Sequence, residues 1–244
     1  MRPVCSMRIT SLKRREFVRA CAASAAGATL PTAADAAALS AHSYPKARLV
    51  DEARQPIQLA KLRVGVNYVF DYPFSATPCF LLRLDHATAG GIELKTEAGE
   101  SYRWAGGIGP DKSVVAYSAI CAHKMTYPTR QVSFIGYRDQ PSPVAGKGKV
   151  ITCCSDRSVY DPSAGARVVS GPAPQPLATV LLEHDPKTDG IVAVGTFGGE
   201  MFAEFFRKYD FRLQMEMGPR ARSAVEGTTT VRELANYSTQ WAQC

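Results

Sequence analysis

The chain has 244 residues, enough to bury a substantial core in one large domain or in one domain with appendages. Its 45% hydrophobic and 21% charged content excludes a disordered or fibrous chain, and no run approaches the roughly 18 consecutive apolar residues of an ordinary membrane span. The formal charge of +7 is concentrated early: residues 1–38 hold Arg2, Arg8, Lys13, Arg14, Arg15 and Arg19 against Glu16 and Asp35. The remainder carries only +3 and lacks the basic stripe that nucleic acid would require.

Residues 1–38 read as an export signal. A basic start leads into a small-residue, weakly apolar stretch, which ends at Ala34-Asp35-Ala36, a candidate cleavage site. Arg14 and Arg15, followed by Glu16, Phe17 and Val18, resemble the twin-arginine signal. That route carries folded proteins to the periplasm, and so favours a cofactor acquired before export. If the signal stays uncleaved, residues 17–39 offer a weak membrane contact, which Arg19 opposes.

Residues 39–63 are polar with one short apolar run, and are expected to be a lead-in segment packed on the surface. From Val64 onward short β-rich runs recur: "RVGVNYVFDY", "CFLLRLD", "SVVAYSAIC", "QVSFIGYR", "GKVITCC", "ATVLLEHD" and "GIVAVG", separated by Gly, Pro, Asp and Ser. This pattern predicts an all-β sandwich or barrel. "DPKTDG" reads as a hairpin connection between "ATVLLEH" and "IVAVG". "MFAEFFRKYDFRLQMEM" suits a helix or an extended arm. From Gly218 the chain turns polar and reads as a tail, with "VRELANYSTQWAQC" a candidate short terminal helix.

Five cysteines lie outside the export segment. Cys79 opens a buried-strand pattern, where a free thiol acts as a small hydrophobe, and Cys244, at the last position, is expected to be inert. The other three sit in motifs. "SAICAHKMTYP" holds Cys121 and His123, a Cys-x-His pair. "CCSDRSVYDP" holds Cys153 and Asp156, a Cys-x-x-Asp pair. Two ligand pairs on separate loops can clamp a metal centre between the loop tips, and Zn²⁺ would accept this set. His42, His86 and His184 pair with no other ligand at useful spacing and read as surface or strand-end residues.

The segment from Val64 to about Gly198 resembles Rieske [2Fe–2S] proteins and, within them, the small subunit of arsenite oxidase. The resemblance rests on "GGIGPDKSVVAYSAICAH", "YPFSATPCFLLRL" and the Pro-rich "GPAPQPLATVLLEHD". It implies a Rieske-type β-sandwich over residues 64–200, with a cluster-binding part of two loops at about 119–177 and a C-terminal extension over 201–244. In such proteins two cysteines bind one iron and two histidines the other. Cys121, His123 and Cys153 match that set, and Asp156 stands at the second histidine. Ser158 and Tyr160 match a serine and a tyrosine that hydrogen-bond cluster sulfur. Gly171, Pro172, Pro174 and Pro176 match the loop that covers the cluster. Thr126 and Ser155 stand where many relatives carry a disulfide between the loops, so that bridge is missing. Counting back from Ser158 makes Cys153 the ligand and Cys154 a bystander; the rival register would leave Asp156 too close to Cys154 to serve as its partner.

An Asp156 carboxylate adds about one negative charge relative to imidazole and favours the oxidised cluster. By resemblance the chain is an electron-transfer subunit, not the catalytic one. It would pass single electrons between a large molybdopterin-containing oxidoreductase subunit and a c-type cytochrome. The alternative is a Rieske fold that has lost its cluster and acts as a docking or stabilising subunit. A quinol-oxidising subunit fits less well, because it uses two histidines, keeps the inter-loop disulfide and has a proper membrane anchor. A ring-hydroxylating oxygenase would need a second, iron-bearing domain that nothing after Gly198 supplies.

Overall fold

The computed structural model describes residues 39–244; the expected export signal lies outside the described residues. The strand-rich pattern folds as strands. In chain order they are β1 (His42–Val50), β2 (Tyr68–Asp71), β3 (Pro78–Arg83), β4 (Ile92–Lys95), β5 (Ser101–Trp104) and β6 (Val114–Ser118). There follow β7 (Val132–Ser133), β8 (Ile135–Arg138), β9 (Val150–Cys153), β10 (Ser158–Asp161) and β11 (Arg167–Ser170). The last are β12 (Thr179–Asp185), β13 (Gly190–Phe197), β14 (Gly227–Thr230), β15 (Arg232–Glu233) and β16 (Gln240–Trp241). Two α-helices accompany them among the described residues: α1 (Phe202–Met217) and the single turn α2 (Leu234–Tyr237). Neither is long and apolar enough to cross a membrane.

Eight strands form the main sheet, in the order β14-β1-β13-β12-β6-β3-β2-β15, and β11-β10-β9-β8 form a second sheet. Two-residue alternation decides what each face of the main sheet meets. Phe80 and Leu82 of β3 point to one side, where they share a core with Ile135, Ile151 and Tyr160 of the smaller sheet. Cys79 and Leu81 point to the other side and pack with Leu49, Phe70 and Ile191. The fold is therefore all-β, with the small sheet stacked on one face of the large one. Cys79 is a free, buried thiol that donates to the Tyr72 carbonyl at 2.9 Å, as its strand context suggests.

Two segments differ from the sequence reading. Residues 42–50 are not a surface lead-in: β1 lies between β13 and β14, with Ala47 and Leu49 fully buried. The first half of β1 is mostly polar and its apolar residues are few, so its composition looks like that of a loop until its neighbours are known. Likewise the polar stretch after Gly218 is not a free tail. β14 pairs in parallel with β1 and β15 antiparallel with β2, since Thr is polar yet β-branched and fits a sheet edge. The 201–217 segment resolves as helix. Phe202, Phe205, Phe206, Tyr209 and Leu213 recur at helical spacing and pack against Ile120, Met125 and Tyr127. That places α1 against the first ligand loop.

Candidate metal centre

The two ligand pairs sit on turns of the same design. The loop after β6 folds back so that the Met125 N–H donates to the Cys121 carbonyl at 2.9 Å. The loop between β9 and β10 does the same, with the Arg157 N–H donating to the Cys153 carbonyl at 2.8 Å. Each turn closes on a non-glycine residue in the left-handed region, Met125 at φ 55° and Arg157 at φ 64°. Such residues cost of order 1 kcal/mol and persist only where surrounding packing enforces them. Aromatic rings supply that packing on the first loop: Tyr127 meets Phe205 at 4.9 Å and Tyr209 at 5.0 Å, edge to face. On the second loop, the Ser158 N–H donates to Asp156 Oδ1 at 3.0 Å and fixes the carboxylate direction.

These turns bring three side chains to one point, with His123 at its edge. One donor atom each from Cys121, Cys153 and Asp156 lies within 4.8 Å of the others. Cys121 Sγ is 3.1 Å from Asp156 Oδ2, and His123 Nδ1 is also 3.1 Å from that oxygen. Both thiols are buried and free. The Asp156 side chain is 1% exposed and that of His123 38%, so the imidazole is the solvent-facing edge of the group.

The electrostatics show what such a group requires. A hydrogen bond from Cys153 holds the Cys121 thiol below its ordinary range, and the same bond pushes Cys153 up. Burial pushes the Asp156 carboxyl upward, but the Ser158 N–H and the two thiols outweigh it, and the net direction is down. Burial, followed by the charge on Cys121, pushes the Tyr160 phenol up, so it stays a donor. Three acidic groups in a nearly closed space are compatible only if protons or a cation hold them together. Soft thiolates with imidazole and carboxylate suit iron or zinc.

The neighbours divide unevenly. Tyr160 Oη accepts from the Ala122 N–H at 3.1 Å and lies 3.4 Å from Cys121 Sγ. Ser158 is fully buried, and its Oγ has no hydrogen-bond partner among the described residues. Gly171 lies against the second ligand loop: a Cβ there would sit 2.4 Å from the Arg157 carbonyl oxygen, at a φ of 91°. Pro172 and Pro174 are exposed, and Pro174 faces a recess shared with Arg167 and Pro176. Thr126 and Ser155 line one recess with Phe134 and Tyr209 but carry no bridge. His86 and His184 bond Asp85 and Asp189 and stay outside the group.

Two cysteines need correction. Cys244 is not inert and Cys154 is not an idle bystander: they form a disulfide across a sequence separation of 90. Beside that bridge Arg138 is buried and donates to Cys154 Sγ at 3.2 Å, to the Ala242 carbonyl and to Gln243 Oε1. Elimination would have pointed to the pair. With Cys121 and Cys153 assigned as ligands and Cys79 to the core, two cysteines remain in the part of the chain that follows the signal.

No protein-family model matches the chain. Among solved structures it is similar to the crystal structure of the soluble domain of the Rieske protein II (soxF) from Sulfolobus acidocaldarius. The match has 28% identity and a TM-score of 0.43, and it covers 63% of this chain and 78% of that one.

Proposed function

We propose that this chain is an electron-transfer protein holding a Rieske-type [2Fe–2S] centre, with Cys121, Cys153, His123 and Asp156 as its ligands. The observation that carries this reading is the convergence of Cys121, Cys153 and Asp156 within 4.8 Å, with His123 bonded to the same carboxylate. The orphaned Ser158 hydroxyl supports it independently. A buried hydroxyl without a partner costs roughly 1–3 kcal/mol, and a sulfide next to it would relieve that cost. When bound, such a centre takes up and releases one electron at a time.

The chain's own residues then have distinct tasks. Cys121 and Cys153 supply thiolates from a closed interior. Asp156 adds negative charge and lowers the potential relative to a two-histidine site. Ser158 and Tyr160 donate toward sulfur and oppose that shift. His123, facing solvent, marks where an electron partner approaches. The partners proposed on the sequence resemblance are a large molybdopterin-containing subunit and a c-type cytochrome, with export to the periplasm by the twin-arginine route. If residues 14–15 are replaced by lysine pairs and periplasmic yield is unchanged, the export reading fails.

The test is expression of the full chain with iron–sulfur assembly machinery and its partner, followed by iron and acid-labile sulfide analysis and reduced-state EPR. Two iron and two sulfide per chain are expected in the wild type, and none in Cys153→Ser. Absence of iron from the wild type would leave the docking-subunit reading. A second metal reading follows from the compactness of the group. A single tetrahedral ion with bonds of roughly 2.0–2.3 Å has ligand–ligand edges of about 3.3–3.8 Å, close to the separations present. Zinc without sulfide in the elemental analysis would select it.

A further inference from the structure

The C-terminal segment Ser238–Cys244 is bound to the stretch that follows the first ligand loop and to Cys154 in the second. Its first half runs beside the strand that leaves the first loop. The Thr239 N–H donates to the Arg130 carbonyl at 2.9 Å, Gln240 to Gln131 at 3.0 Å and Ala242 to Ser133 at 2.9 Å. These bonds set the parallel β16–β7 pair. Ser238 Oγ adds a bond to the Thr129 carbonyl at 2.6 Å. Its last residue is bridged to Cys154, which directly follows the ligand Cys153. Between these attachments Arg138 holds the segment down: its guanidinium lies 4.8 Å from the centre of the Trp241 ring and bonds Ala242, Gln243 and Cys154. Arg138 is only 7% exposed; its two terminal nitrogens bond this segment and Cys154, and its Nε has no partner among the described residues.

We propose that residues 238–244 are a strap that positions the two ligand loops relative to each other. The Cys154–Cys244 bridge closes it, and Arg138 and Trp241 are its positioning residues. The strap takes the place of a direct bridge between Thr126 and Ser155, positions that share a recess but cannot be cross-linked. With the bridge closed, the second loop is tied through β16 and β7 to the segment that anchors the first. When a dithiol reduces the bridge, two electrons and two protons pass to Cys154 and Cys244, and the dithiol becomes its own disulfide. The second loop is then held to the strap by hydrogen bonds alone, from Arg138 to the Cys154 sulfur and from the freed Cys154 thiol to the Ala242 carbonyl. Release of the metal centre should speed up, because Cys153 and Asp156 can then move away from Cys121 and His123. This inference rests on the metal-site reading above, but its first readout does not need a metal.

The experiment uses the full chain, metal-free and loaded, as wild type, Cys154→Ser, Cys244→Ser, the double variant and Arg138→Gln. Alkylation and mass measurement should show one closed bridge in oxidised wild type. In the metal-free proteins, amide hydrogen exchange should quicken at least 10-fold over residues 121–126 as well as 153–158 in either cysteine variant. The first loop makes no contact with the lost sulfur, so a merely local effect would leave residues 121–126 unchanged. In the loaded proteins, transfer of iron to a chelator should quicken at least 10-fold in each cysteine variant and no further in the double variant. Arg138→Gln should keep the bridge and show an intermediate rate. Exchange in residues 121–126 unchanged by loss of the bridge, or no bridge in oxidised wild type, overturns the proposal. Failure to bind any metal would instead count against the proposed function and leave the exchange result to decide the strap.

Discussion

Asp71, at the end of β2, gives a direct test of how the first ligand loop is supported. It lines a recess of about 350 Å³ together with the stretch Tyr127–Gln131, Leu213 and Met217 of helix α1, and Tyr237. Burial pushes its carboxyl up to about 6 from 3.8, and Arg130 and Arg232 only partly offset this. A raised carboxyl pKa means that the folded state prefers the protonated form. The stabilising contribution is therefore complete below about pH 4 and is lost as pH rises through about 6. The shift corresponds to about 3 kcal/mol at full burial, and because the residue is partly exposed about 2 kcal/mol is the better expectation. The perturbation is Asp71→Asn, read by urea unfolding between pH 4 and pH 8. The wild type should lose about 2 kcal/mol relative to the variant between pH 4 and pH 6.5, and the variant should be the more stable protein at pH 7. Asp85, Asp111, Asp185 and Asp189 are shifted downward, titrate below this window and cancel in the difference. A wild-type-minus-variant curve that is flat across the window, or a variant less stable at pH 7, would refute the reasoning.

Other outcomes follow from the same geometry. Ser158→Ala should leave the metal-free protein unchanged or stabilise it by about 1 kcal/mol, since it removes a buried hydroxyl without a partner, while the loaded protein should show a lower midpoint potential by voltammetry. Gly171→Ala would put a Cβ 2.4 Å from the Arg157 carbonyl oxygen at a φ of 91°, and should cost about 2–3 kcal/mol in urea unfolding and loosen the second ligand loop. Asp156→His should raise the midpoint potential by about 100–200 mV, the scale of one charge a few ångströms away at an effective dielectric near 20, and make it fall as pH rises. An unchanged potential in a cluster-containing variant would remove Asp156 from the ligand set. Cys244→Ser opens a loop closed across a sequence separation of 90 and should cost about 4 kcal/mol by thermal or urea unfolding, provided the reduced chain unfolds in two states.

The sequence alone determined the local features. The Cys-x-His and Cys-x-x-Asp spacings and the strand runs need only nearby residues to be read, because strand geometry repeats over two positions; the 201–217 segment suits a helix or an extended arm by sequence, and the structure decides for helix. The all-β class followed from those patterns; the choice of Cys153 over its neighbour is implied by the family resemblance, by counting back from Ser158, and belongs to the proposal. Contacts between distant segments were decided only by tertiary structure. Nothing local in residues 42–50 or 227–230 says that they pair with each other and complete the main sheet, since their inward residues are few and their partners lie far along the chain. Nothing near Cys154 names Cys244 as its partner; strand pairing and the buried Arg138 bring the two together. The unbonded state of the Ser158 hydroxyl and the burial of Asp71 are likewise set by what packs around them, because burial is a property of the assembled core and the spacing of residues along a chain does not encode it.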